Sequence, residues 1–166
     1  MPGTTFFYKG TKEGDVLTDE FAVTAATKVI QGVTCRVVHD RVFINGVLEE
    51  DTFDWFAQDN KGNLFYFGED TKEFDAAGHV TSTAGSFEAG VNGAQAGIIM
   101  EADPKVGDTY RQEFAKGVAE DQATVLNLNS TATTPAGTFS NCLQTKEFTH
   151  LKPGNVEEKR YARGLG

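Results

Sequence analysis

Along most of the chain, apolar and polar residues alternate in short runs, and Gly, Asn and Asp separate the runs. Alternation with a period of two is the signature of strands that bury one face. Residues 4–9 form the first run, closed by Gly10 and a polar stretch to Asp15. Residues 20–29 fit a strand or a short helix, and their Thr and Val content favours the strand. Gly32 interrupts, and the Val-rich run 33–44 follows. Asn45-Gly46 after it is a strong hairpin signal, because both central residues of a type I′ turn need positive φ. Residues 47–58 return along that strand, 59–63 make a second turn, and 64–67 return again. The region from Gly32 to Gly68 therefore predicts a three-stranded antiparallel meander.

The second half is less regular. A turn at Asp75-Ala76-Ala77-Gly78 precedes a strand at 79–83, and residues 84–97, with Gly85, Gly90, Gly93 and Gly97, are too irregular for an element. Tyr110, Phe114 and Val118 fall at helical spacing, but Gly117 breaks that pattern. Alternation over 118–128 reads as a hairpin. Residues 138–147 and 157–162 supply the last strands, separated by the loop at Lys152-Pro153-Gly154. Nothing between strands is long and periodic enough for the crossover helix that a parallel pair requires. The fold class is all-β and antiparallel, with 1–166 as one β domain.

Composition narrows the partners more than the chemistry. The chain has 166 residues, enough for one buried core, and 13 Phe, 4 Tyr and 1 Trp to build it. Its 15 Lys and Arg against 24 Asp and Glu give a net charge of −9. Phosphate recognition depends on clustered basic residues, so no nucleic-acid partner is expected. Gly97-Ile98-Ile99-Met100 is among the longest apolar runs, far short of a membrane span. The start at Met1 shows no basic segment followed by an apolar one, so no signal peptide is read there. Cys35 and Cys142 allow at most one disulfide and show no C-x-x-C spacing.

Several stretches bear a family likeness. They include Pro2-Gly3-Thr4-Thr5-Phe6, Asp54-Trp55-Phe56-Ala57-Gln58-Asp59, Gly62-Asn63-Leu64, Tyr66-Phe67-Gly68-Glu69-Asp70, Gly85-Ser86-Phe87 and Pro135-Ala136-Gly137-Thr138-Phe139. Together they resemble an uncharacterised bacterial secreted or lipoprotein domain family, itself similar to half-β-barrel lipoprotein carriers. The closing Tyr161-Ala162-Arg163-Gly164-Leu165-Gly166 resembles a Tyr-Ala-Pro-Gly-x-Gly element of such half-barrels, with Arg163 in place of Pro. The resemblance implies a curved antiparallel sheet, a half-barrel or open barrel, with an extracytoplasmic home in bacteria: secreted, periplasmic or lipid-anchored. It also implies that the sequence begins inside its domain and stops before the last strand. No activity comes with it.

Most catalytic motifs are absent: there is no G-x-S-x-G, H-E-x-x-H, Walker loop or G-x-G-x-x-G. His39, His79 and His150 are dispersed; His39 shares a strand face with Cys35 and Val37 and is the histidine of most interest. Three readings follow. In the first, a small apolar or amphiphilic ligand lies in the concave face of the curved sheet, lined or closed by Trp55, Tyr66, Phe67, Phe87 and Met100, with Gly85 to Gly97 as a mobile flap. In the second, an oxygen-rich set (Asp51, Asp54, Glu69, Asp70, Glu73, Glu88, Glu101, Glu113, Glu120, Asp121) supplies a divalent cation such as calcium, with Glu88, Glu113 and Asp121 as ligands beside loop carbonyls. In the third, a hydrolase uses a carboxylate or His39 as base. Free sheet edges additionally suit pairing into a homo-oligomer.

Overall fold

The computed structural model describes residues 1–165, and among them there is no helix. Thirteen strands are present: β1 (Thr5–Lys12), β2 (Asp15–Ile30), β3 (Val33–Ile44), β4 (Val47–Gln58), β5 (Leu64–Phe74), β6 (Val80–Ser82), β7 (Phe87–Glu88), β8 (Gln95–Met100), β9 (Thr109–Arg111), β10 (Glu113–Phe114), β11 (Asp121–Thr134), β12 (Gly137–Thr149) and β13 (Val156–Tyr161). They form a nine-stranded sheet, ordered β1-β2-β3-β4-β5-β8-β10 with β6 and β7 also on β5, and a four-stranded sheet, β13-β12-β11-β9. The larger sheet is an open half-barrel curled through 210°. The all-β antiparallel class and the curved sheet are both present as expected.

The expected meander extends by two strands, because β1 and β2 join it through further hairpins. Asn45-Gly46 turns with φ 51° and 82°, the geometry its sequence predicts. Past residue 67 the chain continues as β5 through a bulge at Gly68.

The second half departs from expectation in three places. Residues 84–97 contain β7 and the start of β8, so the segment is part of the sheet; Phe87, Ala89 and Ala94 within it are buried. A two-residue strand has no periodicity to read, which is why the sequence shows a loop there. The helical spacing from Tyr110 falls on β9 and β10, one in each sheet, with the buried Gln112 as pivot. The alternation over 118–128 belongs to β11, one strand that begins at Asp121, while the hairpin turn lies farther on between β11 and β12, at Thr134-Pro135-Ala136-Gly137. One long strand and a hairpin alternate alike, and no turn dipeptide lies inside 118–128.

Three apolar clusters hold the elements together. Ile30, Cys35, Trp55, Phe67 and Ala89 form the first, and Tyr66, Phe87, Ala94, Ala115 and Ala119 the second. The third, Tyr110, Ala123, Val125 and Leu143, draws in Ile98 and Met100 from β8 and so fastens the two sheets together. Cys35 and Cys142 are both free and fully buried.

Candidate functional site: acids on the concave face

Register assigns each side chain of β1–β5 to one of two faces. On one face Tyr8 lies beside Asp19, Phe6 beside Phe21, Phe21 beside Asp40, Asp40 beside Thr52, Val38 beside Asp54, and Asp54 beside Glu69. This face is deeply buried at its centre: Val38 and Thr52 are 3% exposed and Asp54 is 7% exposed. The second sheet meets the first chiefly through β8 and β10 rather than across these strands. On the opposite face of the same strands His39 and Asp51 keep 26% and 27% of their side chains exposed, so we assign the buried side to the inside of the curl.

The two faces treat charge differently. On the convex face Glu20, Arg41, Asp51 and Lys72 stand opposite one another in four successive strands, so the signs alternate. Arg41 bonds Glu20, and His39 bonds Asp51 while stacking on Phe53 at 4.3 Å. The concave face has no such balance. Apart from Lys12 at the tip of the first hairpin, its cation is Arg36, whose guanidinium donates to the carbonyls of Ala25 (2.8 Å) and Ala26 (3.2 Å) in the bulge of β2. The concave acids are left to face each other.

They form two groups. Asp19 and Asp40 point at one another from β2 and β3, and each keeps a buried Oδ1 without a hydrogen-bonding group other than the opposing acid. Burial raises the pKa of both, and for Asp40 the neighbouring charges of Asp19, Asp54 and Glu50 add to the rise. Beside them opens a groove of about 260 Å³ lined by Tyr8, Lys9, Gly10, Leu17 and Asp19, together with Thr11 and Thr18. In the second group Tyr66 Oη lies 2.6 Å from Asp54 Oδ1 and 2.7 Å from Glu69 Oε2. Burial moves Asp54 up to about 6 and Glu69 to about 7, against the lowering effect of the Tyr66 hydroxyl. Glu113 on β10 is pushed to about 8, first by burial and then by Asp121, Glu69 and Asp54. Between the groups Thr71 donates to Thr52 (2.6 Å), which donates to Glu50 Oε1 (3.0 Å).

Two glycines allow the second group to be covered. A Cβ at Gly68 would lie 2.1 Å from the Phe87 carbonyl oxygen, and one at Gly97 would lie 2.2 Å from that of Gln112. With no side chain at either position, β7 lies flat on β5 and the β9–β10 pivot crosses β8. Phe87 is thereby set edge-on to the Tyr66 ring at 5.7 Å.

The residues singled out in the sequence are dispersed by this arrangement. Trp55 and Phe67 belong to the convex-side cluster, where Lys28 Nζ lies 3.3 Å from the Trp55 ring. Tyr66 and Phe87 share the second cluster, and Met100 packs on the third. The five do not line one concavity, because adjacent strand positions point to opposite faces. Of the cation trio, Glu113 and Asp121 are neighbours, but Glu88 is paired with Lys28 at 2.6 Å. Among the described residues no three His, Cys, Asp or Glu side chains come together in a metal-holding arrangement. Asp19, Asp40, Glu50 and Tyr8 escaped the sequence reading, although Asp19 occupies the strand phase of Leu17 and Phe21, and Asp40 that of Val38 and Val42. An acid in an apolar phase was the signal.

No helix is long and apolar enough to cross a membrane among the described residues, which says nothing of β-barrels. No family model matches the chain, and no match is found among curated proteins or solved structures.

Proposed function

We propose that the concave face binds a small amphiphile, with its apolar body along Phe6, Tyr8, Leu17 and Phe21 and a basic head, an ammonium or guanidinium, at Asp19 and Asp40. The observation that carries this reading is the pair of buried carboxyl oxygens without other partners beside the apolar-lined groove. A cation there would form charge-assisted hydrogen bonds in a partly dry site, about twice as strong as neutral ones. Trp55, Phe67 and Met100 are not ligand contacts in this reading. The same reading keeps the protein outside the bacterial cytoplasm, on the strength of the sequence resemblance.

Octylamine, octanol and octanoate share one tail and differ in head, so calorimetric titration with each separates the contributions. Octylamine is expected to bind about tenfold more tightly than octanol, a difference of about 1.4 kcal/mol. Replacing both acids, Asp19→Asn with Asp40→Asn, should remove that preference while leaving octanol unchanged. Equal affinities for the three, or tightest binding of octanoate, would refute the cationic head; no binding of any would refute the groove as a site.

A further inference from the structure

The Tyr66 hydroxyl has one proton and two carboxyl partners, Asp54 at 2.6 Å and Glu69 at 2.7 Å. It can donate to one of them. The other contact is a hydrogen bond only if that carboxyl carries its own proton and donates to the tyrosine oxygen. Proton counting thus requires the closed network to hold at least one carboxyl proton. Remove it, and two buried carboxylates compete for a single donor.

The network also lies under a cover. The cover comprises β7, the loop to β8, and β10 with the Ala115–Ala119 bridge. Phe87, Ala94, Ala115 and Ala119 pack with Tyr66 in one cluster. Phe87 pairs with Glu69 in the ladder, Ala89 N donates to the Phe67 carbonyl at 2.9 Å, and Glu69 Oε1 would lie 2.9 Å from a Cβ at Gly85. The carboxyl that must hold or lose the proton therefore touches the segment that covers it.

We propose that Asp54, Tyr66 and Glu69, with Glu113 beside them, form a proton-held latch: protonated, it fastens the 84–97 segment and β10 onto the sheet; ionised, it loosens them. The latch does not depend on what the groove by Asp19 binds. The charges facing it are Glu50 and, farther off, Asp19 on the sheet, and Asp121 on β11 beside Glu113. Lys28 is engaged by Glu88 and Lys159 by Glu147. Arg111, just before β10, lies over the Phe114 ring at 4.4 Å, and Lys116, within the cover, stands with Phe87, Glu88 and Ala115. Among the described residues none of these cations pairs with Asp54, Glu69 or Glu113. The sign follows from the raised acids: groups that are harder to ionise folded than unfolded favour closure in mild acid and oppose it as pH rises. The loss begins above the ordinary carboxyl range of about 4 and is complete near 8, where Glu113 ionises in the closed form.

Hydrogen exchange of the whole protein, corrected for the intrinsic pH dependence of amide chemistry, reads the latch directly. Between pH 5.5 and 8.5, protection of residues 84–97 is expected to fall about tenfold or more while that of β3 and β4 holds, as local opening of a small unit requires. Glu69→Gln keeps a neutral donor at the tyrosine oxygen and should make that fall smaller, leaving the part that Glu113 contributes. Constant protection of 84–97 in the wild-type protein would overturn the latch even if the variant failed to fold. An equal fall in β3 and β4 would also overturn it, since opening would then be global.

Discussion

Tyr66 is the residue on which the concave face turns. Its ring packs at 4.9 Å on Phe56 and edge-on to Phe87, while its hydroxyl joins two acids from adjacent strands. Burial and the two carboxylates raise the hydroxyl well above the ordinary phenol value, so it stays protonated and serves as a donor. Tyr66→Phe keeps the ring packing and deletes the donor. An unsatisfied buried polar group costs about 1–3 kcal/mol, and Asp54 and Glu69 would both lose their shared partner. Urea unfolding at pH 6 should show a loss of about 1–3 kcal/mol for this variant; an unchanged midpoint would mean that water replaces the hydroxyl without penalty. Glu147 offers the contrast on the other sheet. It is equally buried, yet Lys159 at 2.8 Å, Tyr161 at 2.9 Å and Thr145 at 2.9 Å hold its carboxyl below the usual range. A buried acid with a cation beside it is part of the framework; buried acids without one are candidates for chemistry or switching.

At the level of elements, close backbone crossings decide what covers what. Gly97 lies opposite Tyr66 in the β5–β8 ladder, and the backbone of Gln112 passes over it. Gly97→Ala would drive a methyl into the Gln112 carbonyl and displace the pivot that carries Glu113 on β10. Overpacking of this kind costs about 1–3 kcal/mol or more, and here it should also raise hydrogen exchange in 111–119 above that in the β1–β4 meander. Equal exchange in both regions would show that the pivot does not depend on the crossing. This dependence on contacts far apart in sequence explains what could be read beforehand. The meander was legible because each of its strands is set by alternation and by turn residues a few positions away, as at Asn45-Gly46. β7 and β10 are two residues each, and they exist because glycines on β5 and β8 let them approach. Alternation puts Trp55 on the face opposite Phe56, and Tyr66 opposite Phe65 and Phe67, and the clusters divide the same way. What it could not give was which face curls inward, and that choice sends Trp55 to a packed core and Asp54 to the concavity.

The whole molecule separates its charges by curvature. Four strands that place Glu20, Arg41, Asp51 and Lys72 in alternating sign on the outside place Asp19, Asp40, Asp54 and Glu69 inside. A flat sheet would leave both sets in water; a curl of 210° dries the inner one. The net charge of −9 is thus partly latent, because some inner acids are neutral at pH values where exposed acids are fully ionised. The groove, the latch and the burial of polar groups without cations all rest on that single condition. Carboxyl carbon resonances of protein labelled with ¹³C-Asp and ¹³C-Glu, followed from pH 3 to 9 and assigned through Asp54, Glu69 and Glu113, measure it directly. These three carboxyls are expected to titrate between about 6 and about 8, well apart from the exposed acids. If all three titrated together with the exposed acids, near their ordinary values of about 4, the concave face would be wet and ionised, and the account would fail.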